Sequence, residues 1–175
     1  ARKLTQLDFV ANNIANAATP GFKAEHLYYA MKGKKAQEGA KIELGPTVSK
    51  MDYSQGTLML TGNPLDVSIE GEGFFTIQTK TGQVYTRNGA FLVNKNNELI
   101  TSGGDYVLGE AGKIVIPTGK IHIDKDGSIY SDENLVGKLK ISAFKDPYAL
   151  SRSSDGRFVD DGKAGLKNAA NYKIS

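Results

Sequence analysis

Gly62-Asn-Pro-Leu-Asp-Val-Ser-Ile-Glu-Gly-Glu-Gly-Phe-Phe75 is where the pattern of this chain changes. From Pro64 onward Leu65, Val67 and Ile69 alternate with Asp66, Ser68 and Glu70, the period-2 signature of a half-buried strand. Gly71-Glu-Gly73 turns the chain, and Phe74 to Thr79 returns. Thr81-Gly82 marks the next turn, and Val84 to Arg87 and Phe91 to Val93 flank Asn88-Gly89, a strong hairpin signal. Asn94-Lys-Asn-Asn97 turns into Glu98 to Thr101, and Ser102-Gly-Gly-Asp105 turns into Tyr106 to Leu108. Lys113 to Ile116 stops at Pro117. Ile121 to Ile123 and Ser128 to Tyr130 flank Asp124-Lys-Asp-Gly127. Leu135 to Phe144 reads as one strand, with Leu139, Ile141 and Ala143 on one face. About nine short strands with turns at this density predict a mainly β fold, a compact multi-stranded antiparallel sandwich or barrel-like domain. In residues 145 to 175, Tyr148, Leu150, Phe158, Val159, Leu166 and Tyr172 are spaced as anchors of a wrapping segment.

Upstream the period is helical. Leu4, Leu7, Ala11, Ile14 and Ala18 recur at spacings of three and four, the pattern of a coiled-coil seam. Asn12, Asn13 and Asn16 lie off the seam; three poor helix formers in one short helix point to specific hydrogen bonding. Pro20 pushes Thr19 out of the α region, so the helix ends near Ala17 or Ala18, and Gly21 permits a sharp change of direction before Phe22. A helix of about 15 residues is marginal alone in water and needs a partner for its seam. Ala24 to Ala36 reads as a second helical piece with Leu27, Tyr28 and Met31 on one face, or as an exposed arm. Lys32, Lys34 and Lys35 sit in a solvated loop. Pro46 restricts its surroundings to an edge strand or linker. The expected organisation is a core helix and turn over 1–28, an extended linker or edge segment over 29–62, and a β-rich outer domain over 63–175.

The chain has 175 residues, 22 basic and 19 acidic side chains and a net charge of +3. That balance argues against nucleic acid as a partner. There is no cysteine, which excludes disulfides, zinc-thiolate sites and cysteine nucleophiles. No apolar run approaches the ~20 residues that span a bilayer, so no membrane insertion is expected. The sequence begins with Ala1, so the native start is expected to lie upstream.

No catalytic residue, cofactor or small-molecule substrate is expected. His26 and His122 lack a ligand-spaced carboxylate cluster, so no metal is expected. Residues 122 to 133 place Asp124, Asp126, Gly127, Ile129 and Glu133 near calcium-loop positions, but His122 stands where the first oxygen ligand belongs; a hairpin turn with Gly127 left-handed explains the run without an ion. Gly71-Glu-Gly73 and Gly109-Glu-Ala-Gly112-Lys113 lack phosphate-loop spacing and open no helix. No serine occupies a nucleophile elbow.

Three ordered motifs also carry a family resemblance. Ala11-Asn-Asn-Ile-Ala-Asn16 followed by Thr19-Pro-Gly-Phe-Lys23, then Gly62 to Phe75, then Tyr85-Thr-Arg-Asn-Gly-Ala-Phe91 resemble the signatures of the bacterial flagellar rod and hook proteins. The resemblance implies a structural axial subunit, not an enzyme, located in the periplasmic rod of the basal body after export through the flagellar secretion apparatus. Its partners would be copies of itself and other rod and hook axial proteins. It further implies an assembly interface at Leu4, Leu7, Val10, Ala11, Asn12, Asn13, Ile14, Asn16, Thr19, Pro20, Gly21 and Phe22, where N- and C-terminal helices pair in the core of a tube. Family chains end in a long C-terminal helix; this sequence stops at Tyr172-Lys-Ile-Ser175, so the resemblance implies sequence beyond both ends. The length between Lys23 and Gly56, and Gly109-Glu-Ala-Gly112, favour the proximal-rod type over the distal-rod type, with a hook subunit less favoured. The competing class is a β-rich surface-binding module whose helix serves only as an anchor.

Overall fold

The computed structural model describes residues 7, 10, 11, 13–15, 24–32, 43–51, 61–153 and 155–175. The chain divides into two compact units, residues 1–54 and 55–175.

In the first unit, the described residues of the N-terminal segment (7, 10, 11 and 13–15) are helical. They are followed by strands β1 (Glu25–Lys32) and β2 (Glu43–Met51), which form a two-stranded antiparallel sheet. The helical expectation over Ala24 to Ala36 is therefore wrong for its described part. Leu27, Tyr28 and Met31 fit a helix face, but Leu27, Tyr29 and Met31 fit a strand face equally well, and the tyrosine pair favours the strand. Pairing with distant residues 43–51 decides the ambiguity. The register shifts between Tyr29 and Met31: Thr47 faces Tyr29 and Leu44 faces Met31, so Gly45 and Pro46 together oppose Ala30. Pro46 thus sits in a bulge, where its missing N–H costs the ladder nothing.

The second unit begins with β3 (Ile69–Gly71), β4 (Phe74–Thr79), β5 (Gly82–Thr86), β6 (Phe91–Val93), β7 (Leu99–Thr101), β8 (Tyr106–Gly109) and β9 (Gly112–Lys113). It continues with β10 (Ile121–Ile123), β11 (Ser128–Ser131), β12 (Asn134–Lys138) and β13 (Ile141–Phe144). Beyond a 3₁₀ turn at Pro147–Ala149, capped by Asp146, come β14 (Ser151–Arg152), β15 (Phe158–Val159), β16 (Leu166–Asn168) and β17 (Tyr172–Ile174). The unit is antiparallel and mainly β as expected, with more and shorter strands than the nine read from turns.

The largest sheet runs β14-β15-β5-β4-β8-β7-β6, with β9 on β8 and β13 on β4. The far edge of β4 is shared: Phe74 and Phe75 pair with β13, and Ile77 and Gln78 with β8. Leu139 bridges Gly109 and the Lys140 N–H donates to the Leu108 carbonyl at 3.0 Å, so β8 and the start of β13 also touch. Strands β10, β11 and β12 form a separate three-stranded meander. Its first turn is the hairpin expected from Asp124-Lys-Asp-Gly127: the Asp124 N–H reaches the Ser128 carbonyl at 2.8 Å, and Gly127 has φ +87°.

The expected single strand from Leu135 to Phe144 is two strands, β12 and β13, in different sheets. Leu139, Ile141 and Ala143 are buried as predicted, but so are Ser142 and Phe144. Both faces of this region are covered. One face of β4 and β13 carries Phe75, Ile77 and Ile141 into a core shared with Val67, Phe91, Leu99, Val107, Ile129 and Ile174. The other carries Phe74, Thr76, Tyr85, Phe144 and Phe158. Edge-to-face contacts at 4.8–5.8 Å between ring centroids join these aromatics, and Thr76 and Ser142 share a buried hydroxyl hydrogen bond of 2.8 Å. Of the expected C-terminal anchors, Leu150 and Phe158 are buried and Val159 and Tyr172 are half-buried, whereas Tyr148 and Leu166 are exposed. Ala164 and Ile174 are buried in their place. Both are small or near the end of the sequence and carried no pattern.

A salt-linked corner fastens the β14–β15 hairpin to the β7–β8 turn. Arg157 lies 2.5 Å from carboxylate oxygens of both Asp105 and Asp155. Burial pushes the Asp155 carboxyl up, but the Arg157 hydrogen bonds and charge outweigh it and the net shift is downward. A depressed native pKa gives stability that is present above the unfolded carboxylate range and lost as pH falls through the folded value. Arg157→Met is therefore expected to move the acid-unfolding midpoint to higher pH. A circular-dichroism titration between about pH 5 and pH 2 checks this; an unchanged midpoint would mean the corner is decorative.

Candidate assembly interface

The seam residues expected to mediate assembly fall into two groups. Leu7, Val10, Ala11, Asn13 and Ile14 are described and helical; Leu4, Asn12, Asn16, Thr19, Pro20, Gly21 and Phe22 lie outside the described residues. Leu7 is 64% exposed, Val10 48% and Ile14 71%. Spacings of three and four put them on one helix face. Together they present apolar surface to water, which costs free energy until something covers it.

The second element is the junction where the chain enters the β unit. Asn63 starts it as an Asx turn: its Oδ1 accepts the Leu65 N–H at 3.2 Å and its Nδ2 donates to Asp66 Oδ1 at 2.9 Å. Residues 65–67 then lie against residues 89–91. The Val67 N–H donates to the Gly89 carbonyl at 3.0 Å and the Phe91 N–H to the Leu65 carbonyl at 3.3 Å, and Asp66 bridges Ala90. A Cβ at Gly89 would fall inside the Val67 carbonyl oxygen. Asn88-Gly89 is consequently not the hairpin turn its sequence suggests. Strands β5 and β6 do not pair with each other; β5 pairs β4 and β15, and β6 pairs β7. The glycine is needed for close approach of two backbones.

Beyond Val67 the neighbouring chain diverges to join β4, and a side chain takes its place. Arg87 donates from Nη1 to the Ile69 carbonyl at 3.3 Å and from Nη2 to the Gly71 carbonyl at 2.9 Å, with its guanidinium 5.0 Å from the Phe74 ring centroid. On the opposite edge β3 pairs with β17, not with β4 as the Gly71-Glu-Gly73 turn suggested. Ser68 and Ser175 exchange backbone hydrogen bonds of 2.7 and 3.0 Å. Glu70 accepts from the Ser175 hydroxyl and from Lys173 Nζ at 3.3 Å; these two bonds, the hydroxyl's first, hold its carboxyl below the usual range. Nothing local in the sequence announces Ser68, Glu70, Lys173 and Ser175 as partners, because they lie more than 100 residues apart. Arg87 was visible only as part of a motif.

Elsewhere several polar side chains pair with one another. Asp126 accepts the Ser128 N–H at 3.0 Å and the Lys138 ammonium at 3.1 Å, and these lower its pKa. His122 and Asp124 are 2.8 Å apart on the exposed face of β10, beside a shallow groove that Lys125, Lys173 and Ser175 also line. Among the described residues no three His, Cys, Asp or Glu side chains are grouped to hold a metal.

The first motif and part of the β unit match known families. Residues 1–23 match the flagella basal body rod protein family, and residues 68–131 match the D1 domain of the flagellar hook protein FlgE/F/G family. The flagellar basal-body rod protein FlgG of Bacillus subtilis is 32% identical over 95% of this chain and 72% of that protein. This chain belongs to the flagellar rod and hook protein family. The flagellar basal-body rod protein FlgF of Caulobacter vibrioides is 34% identical over 87% of this chain and 66% of that protein. The flagellar hook protein FlgE of Salmonella typhimurium is 38% identical, but over 65% of this chain and 28% of that protein. The chain therefore spans about two thirds of the length of the rod relatives it matches. Within this rod and hook family member, the second and third motifs meet at the junction: one supplies residues 65–71, the other Arg87, Gly89 and Phe91.

Proposed function

We propose that the chain is part of a structural subunit of the flagellar basal-body rod, assembling helically with copies of itself and with other axial proteins, and that it is not an enzyme. The observation that carries this reading is the exposed apolar face of Leu7, Val10 and Ile14 within the segment that matches the rod family. An open helical tube needs a heterologous contact that repeats without closing, and an uncovered helical seam is suited to be one side of it. The two-stranded sheet of β1 and β2 adds to the argument, since an isolated hairpin of this kind is marginal in water without a surface to rest on. In this reading Leu4, Leu7, Val10, Ala11 and Ile14 form the inner contact. Asn12, Asn13 and Asn16 hydrogen-bond beside it, and Thr19 to Phe22 set the direction of the chain leaving it. The matching relatives include rod proteins of two kinds, and the proximal-rod assignment rests on the short span before Gly56 and on Gly109-Glu-Ala-Gly112.

The test is a charge in the seam. Leu7→Asp or Ile14→Asp in the full-length protein is expected to stop incorporation into basal bodies and leave cells non-motile. An unpaired carboxylate buried in an apolar contact costs several kcal/mol, roughly enough to cancel a subunit contact. The β unit should keep its melting temperature, because the seam lies outside it. Normal swimming by either variant would sink the seam reading and promote the surface-binding module. The hook match makes incorporation into hooks, rather than rods, the second outcome to score.

A further inference from the structure

We propose that residues 65–71, through which the chain enters the β unit, form a tension-resisting joint locked by Arg87 on one edge and by β17 on the other. The proposal rests on the rod reading, in which force passes between the N-terminal unit and the β unit. In this sequence the first unit is joined to the β unit by the chain that arrives at Thr61. Whatever pulls on the first unit therefore pulls on the segment starting there.

The register shows how that pull is resisted. Hydrogen bonds between antiparallel strands lie perpendicular to the strands. On one edge, residues 68, 70 and 72 bond toward residues 175, 173 and 171: Ser68 with Ser175, Glu70 opposite Lys173, and the Glu72 N–H to the Asn171 carbonyl at 3.1 Å. On the other edge, Leu65 and Val67 bond to Phe91 and Gly89, and the carbonyls of Ile69 and Gly71 bond to the Arg87 fork. Arg87 thus completes the second ladder where the backbone has left it. Tension along residues 65–71 loads both ladders in shear, with every bond sharing the force. The Lys173–Glu70 ion pair at 3.3 Å and the buried Ile174 tie β17 to the same strand and to the core.

The same register gives a clean experiment. Residue 61 and Ser175, which follows β17, lie at the same end of the β3–β17 pair, whereas Ala170 lies at the opposite end. The chain has no cysteine, so introduced thiols are unique handles. In single-molecule force spectroscopy on the 175-residue chain, handles at Thr61→Cys and Ala170→Cys pull the pair in shear. Handles at Thr61→Cys and a cysteine appended after Ser175 unzip it one bond at a time. The shear geometry is expected to rupture at about twice the force of the unzipping geometry or more, since forced unfolding reads the barrier and not the equilibrium stability. Arg87→Met, which keeps the stem and removes both donors, should lower the shear peak and leave the unzipping peak in place. Equal forces in the two geometries of the unsubstituted chain would overturn the proposal, and that comparison stands even if Arg87→Met does not fold. A loss of the same fraction in both geometries would reduce Arg87 to a general stabiliser. The rod reading fails separately: a strong joint in a chain whose seam variants still swim would leave the joint standing without the rod.

Discussion

Gly89→Ala is expected to destabilise the β unit by about 3 kcal/mol, as in severe overpacking, and to lower its melting temperature by roughly 10 °C. The added methyl would lie 1.7 Å from the Val67 carbonyl oxygen, with the Val67 carbonyl carbon 2.8 Å and the Phe75 ring 3.1 Å away. None of these atoms is the free end of a flexible side chain. The Val67 N–H already donates to the Gly89 carbonyl, so the two backbones cannot separate without breaking that bond and the neighbouring one from Phe91 to Leu65. The proper control is Gly104→Ala. Gly104 has φ +83° and open space around its missing Cβ, so alanine there meets only backbone strain of about 1–2 kcal/mol. Thermal melts of the two variants separate a steric requirement from a conformational one. If Gly104→Ala proved the more damaging, close approach to Val67 would not be what requires a glycine at position 89.

That contrast also shows where the sequence was legible. The turns at Asn94 to Asn97, Ser102 to Asp105 and Asp124 to Gly127 were read correctly because each closes a hairpin between its immediate neighbours. Local turn chemistry is then the whole of the signal. Asn88-Gly89 carries the same chemistry but answers to a segment some 20 residues away, so a correct rule gave a wrong pairing. The strand beginning at Leu65 is recognisable from its alternation, yet its partner β17 lies more than 100 residues further on and no local pattern names it. For residues 24–32 the apolar spacing served helix and strand alike, and only the long-range match to residues 43–51 distinguishes them. At the N-terminus the helical spacing is written in the sequence itself, and Leu7, Val10 and Ile14 are helical and exposed. The junction was legible only as motifs, because a motif records that residues matter without recording what they touch.

Phe75→Ala is expected to cost about 3–5 kcal/mol, the range for emptying a large aromatic from a packed core. Phe75 is fully buried and meets Phe91 edge to face, with ring centroids 5.0 Å apart and planes at 82°. Its backbone pairs with Ile141 on one side and Thr86 on the other, so the strand cannot collapse into the vacated space. Domains of this size are stable by about 5–15 kcal/mol, so this loss alone brings the unit near its unfolding threshold. Leu92→Ala, on a side chain 51% exposed, should change stability by no more than about 0.5 kcal/mol. The adjacent Phe74 points into the other layer, against Phe144 and Phe158. Phe74→Ala should therefore act first on the C-terminal segment, raising hydrogen exchange in β14, β15 and β16 before the meander of β10, β11 and β12 responds. Phe75→Ala should raise exchange across the whole unit at once. If the two variants opened the same amides in the same order, the division of β4 into a core face and an aromatic face would carry no energetic meaning, and the C-terminal segment would have to be counted as part of a single core.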